Sequence, residues 1–233
     1  MKDQIDPRLL SNLTEHSEDL HADASRLTRQ ALDDYGERTL EGATASTEDV
    51  KALQTAASIE NLAVSVYTKA AGLSFIKDGN KVVAEFVART MTQHTAHAKA
   101  FNAAAVKAGG KKQSGTDPKY QKVVDAALPK LKRPADVITL AITLEDVAVQ
   151  TYCRNVTQVS TSELRLLFGS IAPVEAAHRA VLLAMAALLK DAPELVAIPT
   201  DPQKLPKNLC TVAVPDSFYS LDLASPVGEG AVS

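Results

Sequence analysis

Apolar residues recur every three or four positions through four long segments of the chain, and this is the period of an amphipathic α-helix. The predicted helices cover about 47–71, 81–108, 135–155 and 161–190. A segment of roughly 25 residues is about 35 Å long at the rise of an α-helix. The pattern therefore predicts an all-α fold built on four helices of similar length.

The connections between these segments predict how the helices are arranged. The links at 72–80 and 156–160 are short, so each flanking pair of helices is expected to form an antiparallel hairpin. The link at 109–134 is long enough to travel the length of a bundle, and it has room for a short helix near 120–128. We predict an up-down-down-up four-helix bundle with one long crossover.

The two ends of the chain differ from the middle. Residues 1–45 are polar with leucines at helical spacing, which predicts an amphipathic N-terminal helical arm. Residues 46–191 form the predicted bundle, and residues 192–233 hold more than half of the eleven prolines, which predicts an extended tail. We expect the arm and the tail to contact the bundle, a partner protein or a second copy in a homo-oligomer.

Composition and charge exclude several classes of protein. With 45% hydrophobic and 23% charged residues, the chain resembles an ordinary globular protein rather than a disordered one. The net charge of -3 argues against a protein that coats nucleic acid or anionic membrane. The first residues contain no apolar run of signal-peptide length, and we expect no membrane span and a cytoplasmic location.

The chain also repeats itself. Residues 59–67, IENLAVSVY, match residues 144–152, LEDVAVQTY. In the partner helices, QHTAH at 93–97 aligns with VEAAH at 174–178. Both hairpins carry the same pattern, as expected if the bundle arose from a duplicated helix pair.

Six ionisable residues fall at core positions of otherwise apolar seams, near the middle of their helices. They are Glu60, His94, His97, Glu145, Glu175 and His178. A buried carboxylate costs several kcal/mol unless a cation or a proton network compensates it. A divalent metal ion accepts both carboxylate oxygen and imidazole nitrogen, so metal binding is the preferred hypothesis. A metal-free core of hydrogen-bonded polar groups is the alternative.

One glutamate on each of two helices and a Glu-x-x-His pair on another are the features by which the sequence resembles the ferritin-like superfamily, especially the rubrerythrin-type di-metal bundles. The resemblance covers about 47–190. It implies that Glu60 and Glu145 are single ligands and that Glu175 with His178 is a complete pair. The remaining pair reads His94-x-x-His97, with His94 where a bridging glutamate is expected.

The resemblance implies binding of one or two ions of iron or manganese and, for many members, reaction with oxygen or peroxide. Because His94 removes one negative charge and one bridge between ions, a mononuclear, mixed or zinc-filled site is also consistent with the sequence. Two functions stay open, with a storage cage of many subunits as a third possibility. One is a metal-dependent oxidoreductase or metal-handling protein, and the other is a degenerate metal-free bundle that serves as a structural or partner-binding module.

The sequence also raises expectations for residues outside this set. Tyr67 and Tyr152 lie two turns beyond the single glutamates, where ordinary packing with a satisfied hydroxyl is the preferred expectation. The alternatives are that they donate to a ligand carboxylate or carry an oxidising equivalent. Pro173 is expected to kink, widen or break the fourth helix. Gln93 is off the seam and is expected to face solvent, whereas Cys153 is expected to be a buried thiol.

Overall fold

The computed structural model describes residues 46–79, 81–191 and 217–218, and helices dominate these ranges. The described ranges contain no strand, which confirms the all-α prediction. The predicted arm at 1–45 lies outside them, as does the predicted tail at 192–233 except for Ser217 and Phe218. The elements are α1 (Thr47–Gly72), a π-helical turn (Phe75–Gly79), α2 (Lys81–Lys107), α3 (Pro118–Ala127), a 3-10 turn (Leu128–Lys130), α4 (Pro134–Val156) and α5 (Ser162–Asp191).

Short-range polar contacts fix the helix starts. The Ser46 hydroxyl accepts a hydrogen bond from the Asp49 amide, and the Asp49 carboxylate accepts one from the Ser46 amide, each at 3.0 Å. This capping box satisfies two amides that the first turn of α1 leaves free. α3 begins similarly, because the Asp117 carboxylate accepts from two amides and Pro118 occupies the first helical position.

The four long helices have the predicted up-down-down-up arrangement. α1 packs against α2, and α4 packs against α5. α1 and α4 run antiparallel, because Tyr67 near the end of α1 contacts Glu145 in the middle of α4, while Glu60 in the middle of α1 contacts Tyr152 near the end of α4. α4 therefore runs parallel to α2, which is the direction that requires a long crossover.

The crossover between α2 and α4 follows the outside of α1. The chain leaves α2 through Gly109, whose φ of 82° is readily adopted only by glycine. The Gln113 carbonyl then accepts hydrogen bonds from the side-chain amides of Asn61 on α1 and Asn102 on α2. α3 covers the face shared by α1 and α4, where Val124 joins an apolar cluster of both helices.

Two apolar clusters fill the bundle, one toward each end. The first includes Leu53, Phe101 and Phe168, and the second includes Ile76, Ile138 and further apolar residues of all four long helices. The mid-level of the helices, which carries the predicted polar residues, lies between these clusters. The apolar layers therefore hold the four helices in fixed register around a polar centre.

α5 is one helix from Ser162 to Asp191 and contains Pro173, so the proline does not divide it into two helices. Residues 162–187 are also long and apolar enough to cross a membrane by length and composition. Half of the apolar window is buried inside the protein, as expected for a helix that contributes to a bundle core. Cys153, predicted to be buried, is exposed because Tyr152 takes the inward position next to it.

Candidate metal centre

All six predicted ligands meet at the middle of the bundle. α1 contributes Glu60, α2 contributes two histidines, α4 contributes Glu145, and α5 contributes a glutamate and a histidine. No more than 1% of the surface of any of the six side chains is exposed: Glu60, His94, His97, Glu145, Glu175 and His178. The inward-facing register predicted from the seams is therefore the one observed.

The six residues form two overlapping groups of four whose ligand atoms all lie within 4.8 Å of one another. Both groups contain His94 and Glu175. The first group is completed by Glu60 and His97, and the second by Glu145 and His178. The arrangement can be described as two adjacent coordination sites that share one imidazole and one carboxylate.

His94 lies between carboxylates on both sides of its ring. Its Nδ1 atom is 2.7 Å from Glu60 Oε2 and 3.6 Å from Glu175 Oε1. Its Nε2 atom is 3.3 Å from Glu145 Oε1. The histidine therefore occupies the shared position at which the ferritin-like pattern places a bridging glutamate.

The two outer histidines are oriented by hydrogen bonds on the far side of their rings. His97 Nε2 lies 2.6 Å from the Ser217 carbonyl oxygen, and His178 Nε2 lies 2.8 Å from Oε1 of Gln93. Because both partners are acceptors, each Nε2 carries the proton and donates. Nδ1 of each ring consequently faces the carboxylates, 2.6 Å from Glu175 Oε1 for His97 and 3.1 Å from Glu175 Oε2 for His178.

Two tyrosines orient the single glutamates. The Tyr67 hydroxyl donates to Glu145 Oε1 and the Tyr152 hydroxyl donates to Glu60 Oε1, each at 2.6 Å. Burial raises the pKa of both hydroxyls well above the ordinary value, and the adjacent carboxylates raise it further. Both tyrosines therefore remain protonated and donate to the carboxylates of Glu145 and Glu60, which was one of the alternatives that the sequence left open.

Three inward-facing atoms have no aligned hydrogen-bond partner among the described residues: His97 Nδ1, Glu145 Oε2 and Glu175 Oε1. His97 Nδ1 and Glu175 Oε1 are only 2.6 Å apart, but their geometry is not that of a hydrogen bond. Such groups are costly when buried without a partner. Imidazole nitrogen and carboxylate oxygen that converge in this way are suitable metal ligands. His97 belongs to the first group of four, Glu145 to the second, and Glu175 to both, so an ion in either group would satisfy some of these atoms.

The electrostatics of the cluster couple the carboxylates to the imidazoles. Burial raises the pKa of Glu60, but the positive charges of His97 and His94 outweigh burial and bring it down to about 2. Burial lowers the pKa of His97, and the charges of Glu175 and Glu60 outweigh it and raise the pKa to about 10. Three imidazolium ions would thus neutralise three carboxylates, and a metal ion that binds here must displace protons.

A small apolar cavity adjoins the cluster between α1 and α4. It has room for about one water-sized molecule. Glu60, His94 and Glu145 form its polar wall, and half-buried Tyr120 of α3 also contributes to the lining. The rest of the lining is apolar: Ile59, Leu62, Ala63, Leu144, Val147 and Ala148. The cavity thus places a small, largely apolar space directly beside the two carboxylates.

Gln93 and Ser217 are the two contributors that the sequence did not reveal. Gln93 was expected to be solvated, but it is 1% exposed and orients His178. The prediction was wrong because the buried face of α2 is wider than the single row of inward residues, three or four positions apart, that the sequence analysis assumed. Ser217 is 120 positions from its partner His97, and no local pattern marks it.

Comparison with known proteins agrees with this geometry. No curated protein and no solved structure matches the chain. The family model described as a ferritin-like domain matches residues 27–188, which include every predicted ligand and all four long helices but for the last residues of α5. The chain therefore belongs to the ferritin-like domain family.

Proposed function

We propose that this protein binds iron or manganese at the mid-bundle cluster, where it acts as a metal-dependent oxidoreductase or handles the metal itself in the cytoplasm. The observation that carries the proposal is the convergence of two four-residue ligand groups whose inward atoms are buried and incompletely hydrogen-bonded. The family supports metal binding in general, and the ligand chemistry suits either ion, with zinc as a further occupant.

We infer that one ion, rather than two, occupies the centre at a time. A neutral imidazole has one lone pair, so His94 cannot be a ligand of both groups simultaneously without losing its second proton. Glu175 can contribute an oxygen to either group, because Oε1 faces His97 and Oε2 faces His178. The first ion therefore takes His94 and leaves the other group with three ligands.

The remaining residues prepare the ligands for this role. The tyrosine hydroxyls hold one oxygen of Glu60 and one of Glu145, which leaves the second oxygen of each carboxylate directed at the cluster. A redox-active ion held here would supply one-electron chemistry with oxygen or peroxide. The apolar cavity beside Glu60 and Glu145 has room for about one water-sized reactant on that side of the centre.

The alternative is a metal-free bundle that serves as a structural or partner-binding module. It is supported by the charge balance, because burial lowers the pKa of His94 but the surrounding carboxylates raise it well above its ordinary value. Protons on the three histidines would then stabilise the cluster without an ion. The two functions differ in whether purified protein carries stoichiometric metal.

Elemental analysis of protein purified without chelator tests the proposal. We expect about one ion per chain in the parent and a loss of most of it in Glu175→Gln, because Glu175 belongs to both groups. Glu85→Gln is the matched control, since Glu85 lies on α2 and is exposed. Only trace metal in the parent, after growth with iron and manganese supplied, would favour the metal-free module.

A reaction with oxygen separates the two forms of the proposal. Protein loaded with ferrous iron under nitrogen is mixed with air-saturated buffer, and the absorbance of ferric iron is followed. Oxidation many times faster than that of free ferrous iron, abolished in Glu175→Gln, supports an oxidoreductase. Unaccelerated oxidation of stoichiometrically bound iron supports metal handling without oxygen chemistry.

A further inference from the structure

Two residues from far along the chain contact the centre. Ser217 is 5% exposed and Phe218 is 7% exposed, and both lie against α2 beside His97. They fall outside residues 27–188, which the ferritin-like family model matches. This part of the site therefore does not come from the four helices that define the fold.

The contact with His97 has a polar and an apolar component. The Ser217 carbonyl accepts a hydrogen bond from His97 Nε2 at 2.6 Å. The Phe218 ring meets the His97 ring at 68°, with 5.7 Å between their centroids. Phe218 also joins the apolar cluster that contains Leu53 and Phe101, which anchors the carbonyl in place.

A backbone carbonyl determines which nitrogen of the ring can bind a metal. It has no proton to give, so His97 Nε2 must donate and Nδ1 must face Glu175. Such hydrogen bonds beyond the ligands fix the ring orientation and raise the basicity of the nitrogen that binds the ion. Without the carbonyl, His97 could turn or change tautomer.

The other outer histidine is held differently. His178 Nε2 donates to Gln93, a residue of α2, and its ring meets Phe86, also of α2. Among the described residues, the partners of His178 all lie in the bundle helices. The centre has one half whose histidine is positioned from within the four helices and another half whose histidine is positioned by Ser217 and Phe218.

We propose that Ser217 and Phe218 are positioning residues for His97, so that packing of these two residues beside His97 and metal binding by Glu60, His94, His97 and Glu175 stabilise each other. The part that concerns metal rests on the proposed function, whereas the positioning of His97 does not. Coupling between two binding events is reciprocal. A change that loosens the packing of Ser217 and Phe218 therefore lowers the metal affinity, and metal binding strengthens that packing by the same factor.

Proton exchange in the metal-free protein tests positioning directly. The ring Nε2–H groups of His97 and His178 are observed by nitrogen-15 NMR, with assignments from His97→Gln and His178→Gln. We expect Phe218→Ala to speed exchange at His97 about 10-fold or more and to leave His178 unchanged. The matched variant Phe86→Ala, or Phe86→Leu if alanine prevents folding, should do the reverse.

The carbonyl itself is tested without changing any side chain. Cys210 allows ligation of recombinant 1–209 to a synthetic peptide of residues 210–233. An ester in place of the amide between Ser217 and Phe218 weakens the Ser217 carbonyl as an acceptor. We expect faster exchange at His97 Nε2–H in the ester protein than in the same ligated protein with a normal amide.

Zinc titration against a chromophoric chelator tests the coupling. We expect Phe218→Ala to weaken zinc binding about 10- to 100-fold, the range found when outer partners of a metal ligand are lost. Zinc should slow chymotryptic cleavage after Phe218 by a similar factor. An unchanged zinc affinity, with normal folding by circular dichroism, would overturn the coupling.

The outcomes separate this inference from the proposed function. If the parent binds no zinc, iron or manganese, but Phe218→Ala and the ester still affect His97 alone, the proposed function fails and the positioning stands. If Phe218→Ala affects both histidines equally or neither, the positioning is wrong whatever metal the parent contains.

Discussion

The Tyr67 hydroxyl on α1 donates a hydrogen bond to Glu145 on α4, and the two oxygens are 2.6 Å apart. The counterpart pair, Tyr152 and Glu60, makes the same contact in the opposite direction at the same distance. Each helix thus supplies the donor for the carboxylate of the other. This crosswise arrangement accords with the repeat of 59–67 at 144–152, although a duplicated origin stays a prediction.

Removing either hydroxyl should destabilise the metal-free protein. In Tyr67→Phe the Glu145 carboxylate loses a buried donor, and in Tyr152→Phe the Glu60 carboxylate does. Each loss is expected to lower the free energy of unfolding by about 1–3 kcal/mol, because the oxygen left behind is buried without that partner. Urea denaturation followed by circular dichroism measures it.

Thr139→Ala is the control for these variants, because half-buried Tyr120 lines the cavity and is therefore unsuitable. Thr139 is an exposed residue of α4 whose hydroxyl donates to the Ala135 carbonyl of the same helix. Its substitution should change stability by about 0.5 kcal/mol or less. Tyrosine variants that are no less stable than Thr139→Ala would show that the hydroxyls do not support the carboxylates.

The fold and the convergence of the six candidate ligands could be predicted because both follow from local periodicity. Alternation of three and four residues places Glu60 and Glu145 on the apolar seam of their helices, and the Glu-x-x-His spacing places Glu175 and His178 on one face. Four such seams in a bundle must converge. The positions of these side chains therefore required no knowledge of long-range contacts.

The partners of those ligands could not be predicted because they depend on contacts between distant segments. The pairing of Tyr152 with Glu60 rather than with Glu145 of its own helix depends on the antiparallel packing of α1 and α4. Ser217 acts through its backbone carbonyl. Every residue has such a carbonyl, so the residue type at this position does not indicate the contact with His97. The wrong prediction for Cys153 has another cause, because a thiol is compatible with either face of α4.

Acid should destabilise the protein in part through Asp49. Its carboxylate accepts hydrogen bonds from the Ser160 amide and hydroxyl, which join the start of α1 to the link between α4 and α5. Burial raises the pKa of Asp49, but the bonds from Ser160 and Ser46 outweigh it and hold the pKa below the ordinary value of 3.8. The stabilisation is thus complete above that value and is lost as pH falls through the lower pKa of the folded state.

Asp49→Asn tests this contribution. At neutral pH we expect the free energy of unfolding to fall by about 1–3 kcal/mol, and below about pH 4 we expect the difference from the parent to shrink. Urea denaturation across this range measures both effects. Asp125→Asn is the control, since Asp125 is exposed on α3, and a difference that grows toward acid pH would contradict the assignment.

Gly110, near the start of the crossover, should not tolerate a side chain. A Cβ atom on Gly110 would overlap the Val50 side chain of α1 and lie 3.0 Å from the Ala105 carbonyl oxygen. We expect Gly110→Ala to lower the free energy of unfolding by about 1–3 kcal/mol, the cost of overpacking. Gly72→Ala is the matched control, because a Cβ there meets nothing within 4 Å, and it should leave stability unchanged or raise it by about 0.4–1 kcal/mol.

The substitution His94→Glu should convert the centre from one ion to two. A carboxylate can give one oxygen to each ion, which a neutral imidazole cannot do. Four carboxylates would also balance the charge of two divalent ions, whereas the three of the parent cannot. We expect about one manganese ion per chain in the parent and about two in His94→Glu, measured by equilibrium dialysis with elemental analysis.

His94→Gln distinguishes the bridge from the mere loss of the imidazole. Glutamine is similar in size to glutamate but adds no charge and is a poor bridge, so this variant should bind no second ion and should bind the first more weakly than the parent. If the parent already binds two ions, His94 does not limit the count, because either it bridges both ions after deprotonation or the group without it holds an ion on its three remaining ligands. If His94→Glu still binds one, the two ligand groups are too close for simultaneous occupation, and the shared position of His94 does not limit the count.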